Sequence, residues 1–321
     1  MNPKDVRVVF MGSPPFAVPS LRGLVEAGYQ VVAAVTQPDK PSGRGGAVSE
    51  PAVKSAASSL GLPVLQPRRL KDSAVQQALI DLRPDLFVVA AYGKILPQAV
   101  LDIPKRGCIN VHASLLPRWR GASPITAAIL AGDATTGVTI MEMALAMDAG
   151  PVIQRASTSI EAVDTAGSLE PRLASLGART LIEAIPGWFD GEVTAEPQDE
   201  ALVTSCRLVS KADGQLSASM TAEQAERAVR AYDPWPGAYV LYRGDRLAIW
   251  RAHVLPPPSD PTPPGTVVQL DRTPAILFAG PDGASRALVL ELVQRPGGKR
   301  LTGAQFLNGD RGQLAPEVGL A

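Results

Sequence analysis

Two short apolar runs, LFVVA at residues 86–90 and GCINV at residues 107–111, decide the fold class of this 321-residue chain. Each run is short and rich in branched or aromatic side chains, which favours a β-strand over a buried helix. Comparable runs occur elsewhere in the first half, and longer segments of helical period lie between them. This alternation is typical of parallel strands joined by crossover helices.

The alternation predicts an α/β fold with a doubly wound, mostly parallel, Rossmann-like sheet. The other predicted strands are Arg7–Met11, Gln30–Thr36 and Gly137–Met143, and the predicted helices are Pro19–Ala27, Glu50–Leu60, Ser73–Leu82, Ser123–Leu130 and Thr165–Pro186. The segment Asp190–Val209 is polar and poor in helical period, so it is expected to be a linker. We therefore expect a first domain at residues 1–189 and a linker at residues 190–209.

The sequence after residue 209 has a different texture, in which Pro and Gly interrupt the chain at short intervals. It contains one predicted helix, Thr221–Ala231, and the predicted strands Ala238–Tyr242, Leu247–Val254, Thr266–Leu270, Ala275–Phe278 and Ala287–Val293. Many short strands with close turn signals favour a small β-barrel like that of an oligonucleotide-binding fold, although their number does not separate a barrel from a sandwich. We expect this second domain to span residues 210–321.

Composition excludes several classes of protein. The 31 Lys and Arg residues balance 31 Asp and Glu residues, so a polyanion can be met only by local basic patches. The two cysteines, Cys108 and Cys206, have neither metal-ligand spacing nor the density of a disulfide framework. No apolar run is long enough to span a bilayer and the N-terminus lacks a signal-peptide pattern, so a cytoplasmic protein is expected.

A glycine-containing turn, Gly12-Ser13-Pro14-Pro15, follows the first strand and suggests a dinucleotide site. It fails that test because the dinucleotide fingerprint needs three glycines at set spacing. The two prolines also remove backbone N–H donors that a pyrophosphate would require. A tight turn before the next helix is the simpler interpretation.

The segment GCINVHASLLP at residues 107–117 contains the main candidate for chemistry. Residues two apart on a strand share a face, so Asn110 and His112 are expected to project together at the carboxyl end of their strand, where such sheets bind ligands. An amide donor and an imidazole at one point can polarise a carbonyl group and stabilise an oxyanion. Taken alone the pattern is weak, because a lone histidine is more often structural.

Asp148, in the run MDAGP at residues 147–151, is the candidate partner of His112. A carboxylate at this position could orient the imidazole, fix its tautomer and favour proton uptake. The alternative is an ordinary Asp-x-Gly turn. Sequence spacing does not show whether Asp148 reaches His112.

Several separated motifs together resemble the 10-formyltetrahydrofolate-dependent formyltransferases. The matching segments are CINVHASLLPRWRGASPITAAI at Cys108–Ile129, GVTIM at Gly137–Met141, VTQPDKPSGRG at Val35–Gly45, RAYDPWPG at Arg230–Gly237, and Asp85–Leu101. These segments cover most of the chain in order. Within the family, the similarity is greatest to members that formylate the methionine on initiator tRNA.

The resemblance implies a set of functional residues. The family's catalytic Asn, His and Asp fall on Asn110, His112 and Asp148, and its folate-contacting loop falls on Ser114, Leu115, Leu116 and Pro117. The implied donor is 10-formyltetrahydrofolate, and no metal is required because the formyl group is already an activated amide. The expected acceptor partner is initiator methionyl-tRNA, and the basic residues expected to contact it are Lys40, Arg44, Lys54 and Lys211. A monomer is expected.

Departures from the family pattern leave alternatives open. Uncharged residues, Gly46–Ser49, and Glu50 replace basic residues that often follow Arg44 in relatives, and Ala149 replaces a common threonine. The same donor chemistry could formylate an amino-sugar nucleotide, since the RAYDPWPG motif is shared with such enzymes. Formylation of glycinamide ribonucleotide would leave the second domain unexplained. A non-catalytic tRNA- or folate-binding protein would have no evident reason to keep the three polar residues.

Overall fold

The computed structural model describes residues 2–42, 47–256, 263–280, 284–310 and 314–321. Its internal contacts divide the chain into two compact units. The first unit comprises Met1–Pro124, Thr135–Ser159 and Glu170–Cys206, and the second comprises Ile125–Ala134, Ile160–Leu169 and Arg207–Ala321. The expected linker therefore packs within the first unit as far as Cys206. The domain boundaries at residues 189 and 210 stay a prediction.

A seven-stranded sheet forms the centre of the first unit. Its strands, in chain order, are β1 (Arg7–Gly12), β2 (Gln30–Val35), β5 (Val64–Leu65), β6 (Leu86–Ala90), β7 (Cys108–His112), β9 (Thr135–Glu142) and β10 (Val152–Ser159). The first unit also contains two small strand pairs, β3 (Lys40–Ser42) with β4 (Ala47–Ser49) and β8 (Arg120–Gly121) with β11 (Ser205–Cys206). The sheet order is β10-β9-β7-β6-β1-β2-β5.

The helices before residue 190 lie close to their predicted positions, except for one short helix, Gln98–Leu101, which was not predicted. They are α1 (Val18–Glu26), α2 (Ala52–Ser59), α3 (Ser73–Asp81), a short α4 (Gln98–Leu101), α5 (Pro124–Ala131) and α6 (Ala166–Phe189). Every residue of β6 is buried, as expected for a central parallel strand covered on both faces. These elements confirm the predicted fold class.

One predicted parallel strand runs in the opposite direction. Along the sheet, the neighbouring strands β5, β2, β1, β6 and β7 are parallel to one another. Strand β9 is antiparallel to β7, and β10 is antiparallel to β9. Local sequence does not encode strand direction, so the apolar run of β9 gave no sign of it. The edge strand β10 was not predicted, because its residues after Ile153 are polar or small and are typical of a loop.

The second unit is built on an antiparallel sheet. Its strands are β12 (Ala238–Tyr242), β13 (Asp245–Leu255), β14 (Val267–Leu270), β15 (Thr273–Ala279), β16 (Ser285–Gln294) and β17 (Arg300–Thr302), with helices α7 (Ala222–Ala231) and α8 (Gly303–Gly309). The C-terminal segment closes it, because Glu317 pairs with Thr266 next to β14 and Gly319 pairs with Leu241 on β12. This closure produces the predicted barrel.

The start of α7 shows why its boundary was predictable. Thr221 accepts a hydrogen bond from the Gln224 backbone N–H, and the Gln224 side chain accepts one from the Thr221 N–H. This capping box is a local signal that satisfies backbone donors at the first turn. Val229 then packs into the barrel core with Val240, Ile249 and Phe278. No helix among the described residues is both long and apolar enough to cross a membrane.

Candidate active site

The strand β7 presents two polar side chains at its carboxyl end, as the sequence predicted. Asn110 is half-buried and His112 is 6% exposed, whereas Ile109 and Val111 are buried. Pairing with β6 on one side and β9 on the other fixes the backbone of Asn110, opposite Val89 and Met141. The Asn110 side chain makes no hydrogen bond within the described residues, so its amide N–H groups are available to a substrate.

The imidazole of His112 is held through one nitrogen. Nε2 lies 3.0 Å from the backbone oxygen of Trp119. Because a carbonyl oxygen only accepts, Nε2 carries a hydrogen and donates it. The other nitrogen, Nδ1, lies 3.7 Å from Oδ2 of Asp148, which is a charge contact rather than a hydrogen bond. Nδ1 is therefore the ring atom that remains available for proton exchange.

Asp148 reaches His112 from the loop between β9 and β10. Its backbone has φ of 50°, and its carboxylate, 17% exposed, accepts a hydrogen bond of 2.8 Å from the Gly121 N–H. The strand before Asp148 was expected to be parallel, but β9 is antiparallel to β7. The loop must therefore turn back along the sheet to bring the carboxylate to the histidine.

The segment expected to be a linker holds this arrangement in place. The Gln198 side-chain amide donates to the carbonyl oxygens of Asp148 and Gly150, both at 2.8 Å. Thr204 Oγ1 accepts from the Trp119 N–H at 2.9 Å, and Trp119 in turn holds His112. Both members of the histidine–carboxylate pair are thus supported by residues 198–204.

Gly121 lies on β8, where the backbone of β11 approaches too closely to leave room for a side chain. Its φ is 122°, and a Cβ atom built there would lie 2.0 Å from the carbonyl oxygen of Cys206. Only glycine fits such a contact without a backbone shift. The close approach allows the Gly121 N–H to point at Asp148.

The predicted folate loop leaves β7 directly after the histidine. Thr139 Oγ1 donates to the Ser114 carbonyl at 2.7 Å and accepts from the Leu116 N–H at 3.0 Å. Ser114 and Leu116 are buried, whereas Leu115 and Pro117 are half-buried. The loop backbone is therefore fixed, and Leu115 and Pro117 are its members with exposed surface.

The predicted tRNA contacts differ in their surroundings. Lys40 and Lys211 are exposed, and Arg44 lies outside the described residues. Lys54 is already engaged, since its Nζ lies 2.6 Å from Asp39 and 3.1 Å from Glu50. The charge of Lys54 is balanced within the first unit, whereas Lys40 and Lys211 have no ion pair among the described residues.

Of the two cysteines, Cys108 is buried and Cys206 is half-buried. Burial, with a smaller contribution from Asp102, raises the pKa of the Cys108 thiol to about 12. Burial also raises the pKa of Cys206, and the Asp148 charge adds to this effect. Both thiols are free and neutral near pH 7. Across the described part of the chain, no three His, Cys, Asp or Glu side chains are grouped to hold a metal ion.

The sequence did not predict that Gln198, Thr204 and the backbone groups of Trp119 and Gly121 support the site. Gln198 lies 50 residues from Asp148 along the chain, in a polar segment without periodicity. Backbone donors and acceptors carry no residue-specific signal. No local pattern could have identified this support.

The first unit has a Rossmann-like sheet that presents an amide beside an imidazole–carboxylate pair, and a closed antiparallel barrel follows it in the chain. These features together are typical of an enzyme that transfers a chemical group. The chain belongs to the formyl transferase family. The protein-family model described as formyl transferase matches residues 6–185, and the family model described as formyl transferase, C-terminal domain, matches residues 208–311.

The curated relatives are similar to this chain over nearly its whole length. A methionyl-tRNA formyltransferase from Methylococcus capsulatus is 47% identical over 303 residues, which cover 94% of this chain and 96% of that protein. One from Pseudomonas paraeruginosa is 46% identical over 310 residues, which cover 97% of this chain and 98% of that protein.

Solved structures share the fold at low sequence identity. An N-formyltransferase from Helicobacter canadensis, in complex with folinic acid and dTDP-3-aminofucose, has a TM-score of 0.66 at 16% identity and covers 88% of this chain and 99% of its own. HypX from Aquifex aeolicus in complex with tetrahydrofolic acid has a TM-score of 0.58 at 18% identity, covering 94% of this chain and 46% of its own. At these identities the likeness concerns the fold alone.

Proposed function

We propose that this protein transfers a formyl group from 10-formyltetrahydrofolate to the amino group of methionine on initiator tRNA, in translation initiation. The chemistry rests on one observation: Asn110 and His112 share the end of β7, and His112 Nδ1 lies 3.7 Å from Asp148. The choice of acceptor rests on near full-length similarity to methionyl-tRNA formyltransferases. The protein acts as a monomer in the cytoplasm.

Asn110 and His112 stabilise the charge that develops on the formyl oxygen. The methionine amine attacks the formyl carbon, a carbon–nitrogen bond forms and the carbonyl oxygen becomes an oxyanion. Asn110, whose amide has no partner among the described residues, donates a hydrogen bond to this oxygen. His112 contributes through Nδ1 once that nitrogen has accepted the proton of the attacking amine, because Nε2 already donates its hydrogen to the Trp119 carbonyl.

Asp148 assists the movement of one proton. The attacking amine must lose a proton, and N10 of the folate must gain one when its bond to the formyl carbon breaks and tetrahydrofolate leaves. An imidazole protonated on Nδ1 faces the Asp148 carboxylate, which stabilises the imidazolium. His112 with Asp148 can therefore accept the proton and return it to the leaving group.

The loop after β7 receives the folate. Thr139 fixes the backbone of Ser114 and Leu116, so the loop needs little reorganisation when the donor binds. Leu115 and Pro117 provide its accessible apolar surface. We place the folate against this loop because it begins two residues after His112.

Basic residues on the surface bind the tRNA backbone. Lys40 and Lys211 are exposed, and Arg44 follows Lys40 by four residues in the sequence. Lys and Arg side chains position nucleic acids through phosphate contacts. Lys54 makes a smaller contribution, since Asp39 and Glu50 already balance its charge.

An acceptor assay tests this function. The protein is incubated with 10-formyltetrahydrofolate and, in parallel, methionyl-initiator tRNA, methionyl-elongator tRNA or an amino-sugar nucleotide, and products are identified by mass spectrometry. The proposal expects formylmethionine on the initiator tRNA and a much slower reaction with the other two. Transfer to the sugar alone would refute the acceptor, and turnover of none would favour a non-catalytic binding protein.

A further inference from the structure

Gln198 makes an unusual set of contacts for a residue in a polar, irregular segment. It is 9% exposed, and its Nε2 donates to the carbonyl oxygens of Asp148 and Gly150, both at 2.8 Å. These two bonds use both N–H groups of the amide. One side chain therefore spans the turn that carries the Asp148 carboxylate.

The other end of the Gln198 amide is also fixed. Oε1 accepts a hydrogen bond of 3.0 Å from Nε of Arg120, whose guanidinium also pairs with Glu200 at 2.8 Å. Arg120 can only donate, so it determines which end of the amide carries the oxygen. The two N–H groups are consequently directed at the loop.

The loop needs such support because its conformation is unfavourable in isolation. Asp148 has φ of 50°, in the left-handed region that a side chain with a Cβ atom disfavours. Without Gln198, the Gly150 carbonyl loses a buried hydrogen bond and the Asp148 carbonyl a partly buried one, and a relaxed backbone would carry the carboxylate away from the Gly121 N–H and from His112. The alignment of the carboxylate thus depends on a residue that does not touch it.

We propose that Gln198 is a positioning residue for formyl transfer, which acts by holding the Asp148 loop in its reactive conformation. The inference deepens the proposed function, because it assumes that Asp148 assists the reaction. It also gives a role to the segment that was expected to be a linker. Gln198 itself contacts neither the donor nor the acceptor in this account.

The first test compares Gln198→Ala and Gln198→Glu with the wild type. Both variants lose the paired N–H donors, and Gln198→Glu keeps an acceptor for Arg120. We expect each to lower kcat at least about tenfold while the KM for 10-formyltetrahydrofolate stays within about twofold. The control is Gln76→Ala on α3, which removes a single side-chain hydrogen bond to the Leu70 carbonyl and should leave kcat unchanged.

A double-mutant cycle separates positioning from a general loss of stability. If Gln198 acts through Asp148, Gln198→Ala should cost little further activity in an Asp148→Asn background. Losses that multiply in the double variant would overturn the inference. So would a Gln198→Ala enzyme whose kcat stays close to that of the wild type.

Hydrogen–deuterium exchange provides a readout that does not depend on the acceptor. In Gln198→Ala, peptides that cover residues 143–151 should exchange faster, while peptides from β1 and β6 keep their protection. Unchanged exchange in the loop would refute the inference even if the proposed function is correct. Wild-type protein that formylates no acceptor, together with a loop that loosens in Gln198→Ala, would instead contradict the function and retain the structural role of Gln198.

Discussion

Nδ1 of His112 and Oδ2 of Asp148 lie 3.7 Å apart, although His112 ends strand β7 and Asp148 lies in the loop between β9 and β10. At this separation a charged imidazole is stabilised by the carboxylate without a direct hydrogen bond. The Trp119 carbonyl holds Nε2, so Nδ1 is the nitrogen that can exchange a proton. One ring nitrogen therefore fixes the position of the imidazole and the other can take part in the reaction.

The amide of Asn110 should contribute through its N–H donors. Asn110→Ala removes them, and Asn110→Asp replaces them with a negative charge where an oxyanion develops. We expect kcat to fall about a hundredfold for Asn110→Ala and further for Asn110→Asp. Steady-state kinetics with a folate titration provide the measurement. Equal, small losses in both variants would mean that the amide does not contact the developing charge.

Gly121→Ala should damage both stability and activity. A Cβ atom would lie 2.0 Å from the Cys206 carbonyl, so the pairing of β8 with β11 must shift and the Gly121 N–H must leave Asp148. Strain and the lost contact should lower the free energy of unfolding by about 1–3 kcal/mol. Thermal unfolding and kcat are measured together.

Gly28→Ala is the matched control for backbone strain. Gly28 also has a left-handed φ, +88°, but no atom lies within 4 Å of the position that an added Cβ would occupy. We expect a cost of about 1–2 kcal/mol in stability and an unchanged kcat. A Gly121→Ala enzyme with normal kcat would show that the Gly121 N–H is not needed at Asp148.

Salt dependence should reveal the residues that contact tRNA phosphates. Lys40→Ala and Arg44→Ala should each weaken tRNA binding and reduce the slope of log affinity against log salt concentration by about one. Lys54→Ala should change the slope less, because its ammonium pairs with Asp39 and Glu50. Lys4→Ala, an exposed lysine in the 3₁₀ turn Pro3–Asp5, is the control. Identical slopes for wild type and Arg44→Ala would refute that contact.

The buried thiol of Cys108 should make stability depend on alkaline pH. Its pKa is raised to about 12 from a reference of 9.0, mainly by burial. Above about pH 9 the unfolded chain loses a proton that the folded chain keeps, so the contribution to stability is present in full at lower pH and is lost as pH approaches about 12. The loss should approach about 1.4 kcal/mol per pH unit.

Comparison with a variant isolates this single group from other alkaline titrations. In Cys108→Ala the stability curve should be flatter between about pH 9 and 11 than in the wild type, as measured by chemical denaturation. Wild-type and variant curves that run parallel across this range would contradict the assignment. Iodoacetamide should also modify the native Cys108 thiol slowly at about pH 8, because the thiolate is the reactive form.

The sequence predicted features that depend on neighbouring residues. Alternation along β7 placed Asn110 and His112 on one face, and the predicted helix Thr221–Ala231 agrees with α7, whose first turn the structure shows to be capped by Thr221 and Gln224. The direction of β9, the return of the loop to Asp148 and the support from Gln198 could not be predicted. Each depends on contacts between residues far apart in the chain, for which the local sequence provides no periodic or capping signal.

The roles of His112 and Asp148 in the chemical step are measured by single-turnover kinetics at saturating 10-formyltetrahydrofolate and methionyl-initiator tRNA, with His112→Ala and Asp148→Asn compared to the wild type. We expect each variant to form formylmethionyl-tRNA at least about a hundredfold more slowly while its dissociation constant for the folate changes little. A rate of formyl transfer close to that of the wild type, combined with much weaker folate binding, would show that His112 and Asp148 bind the folate and do not act in the chemical step.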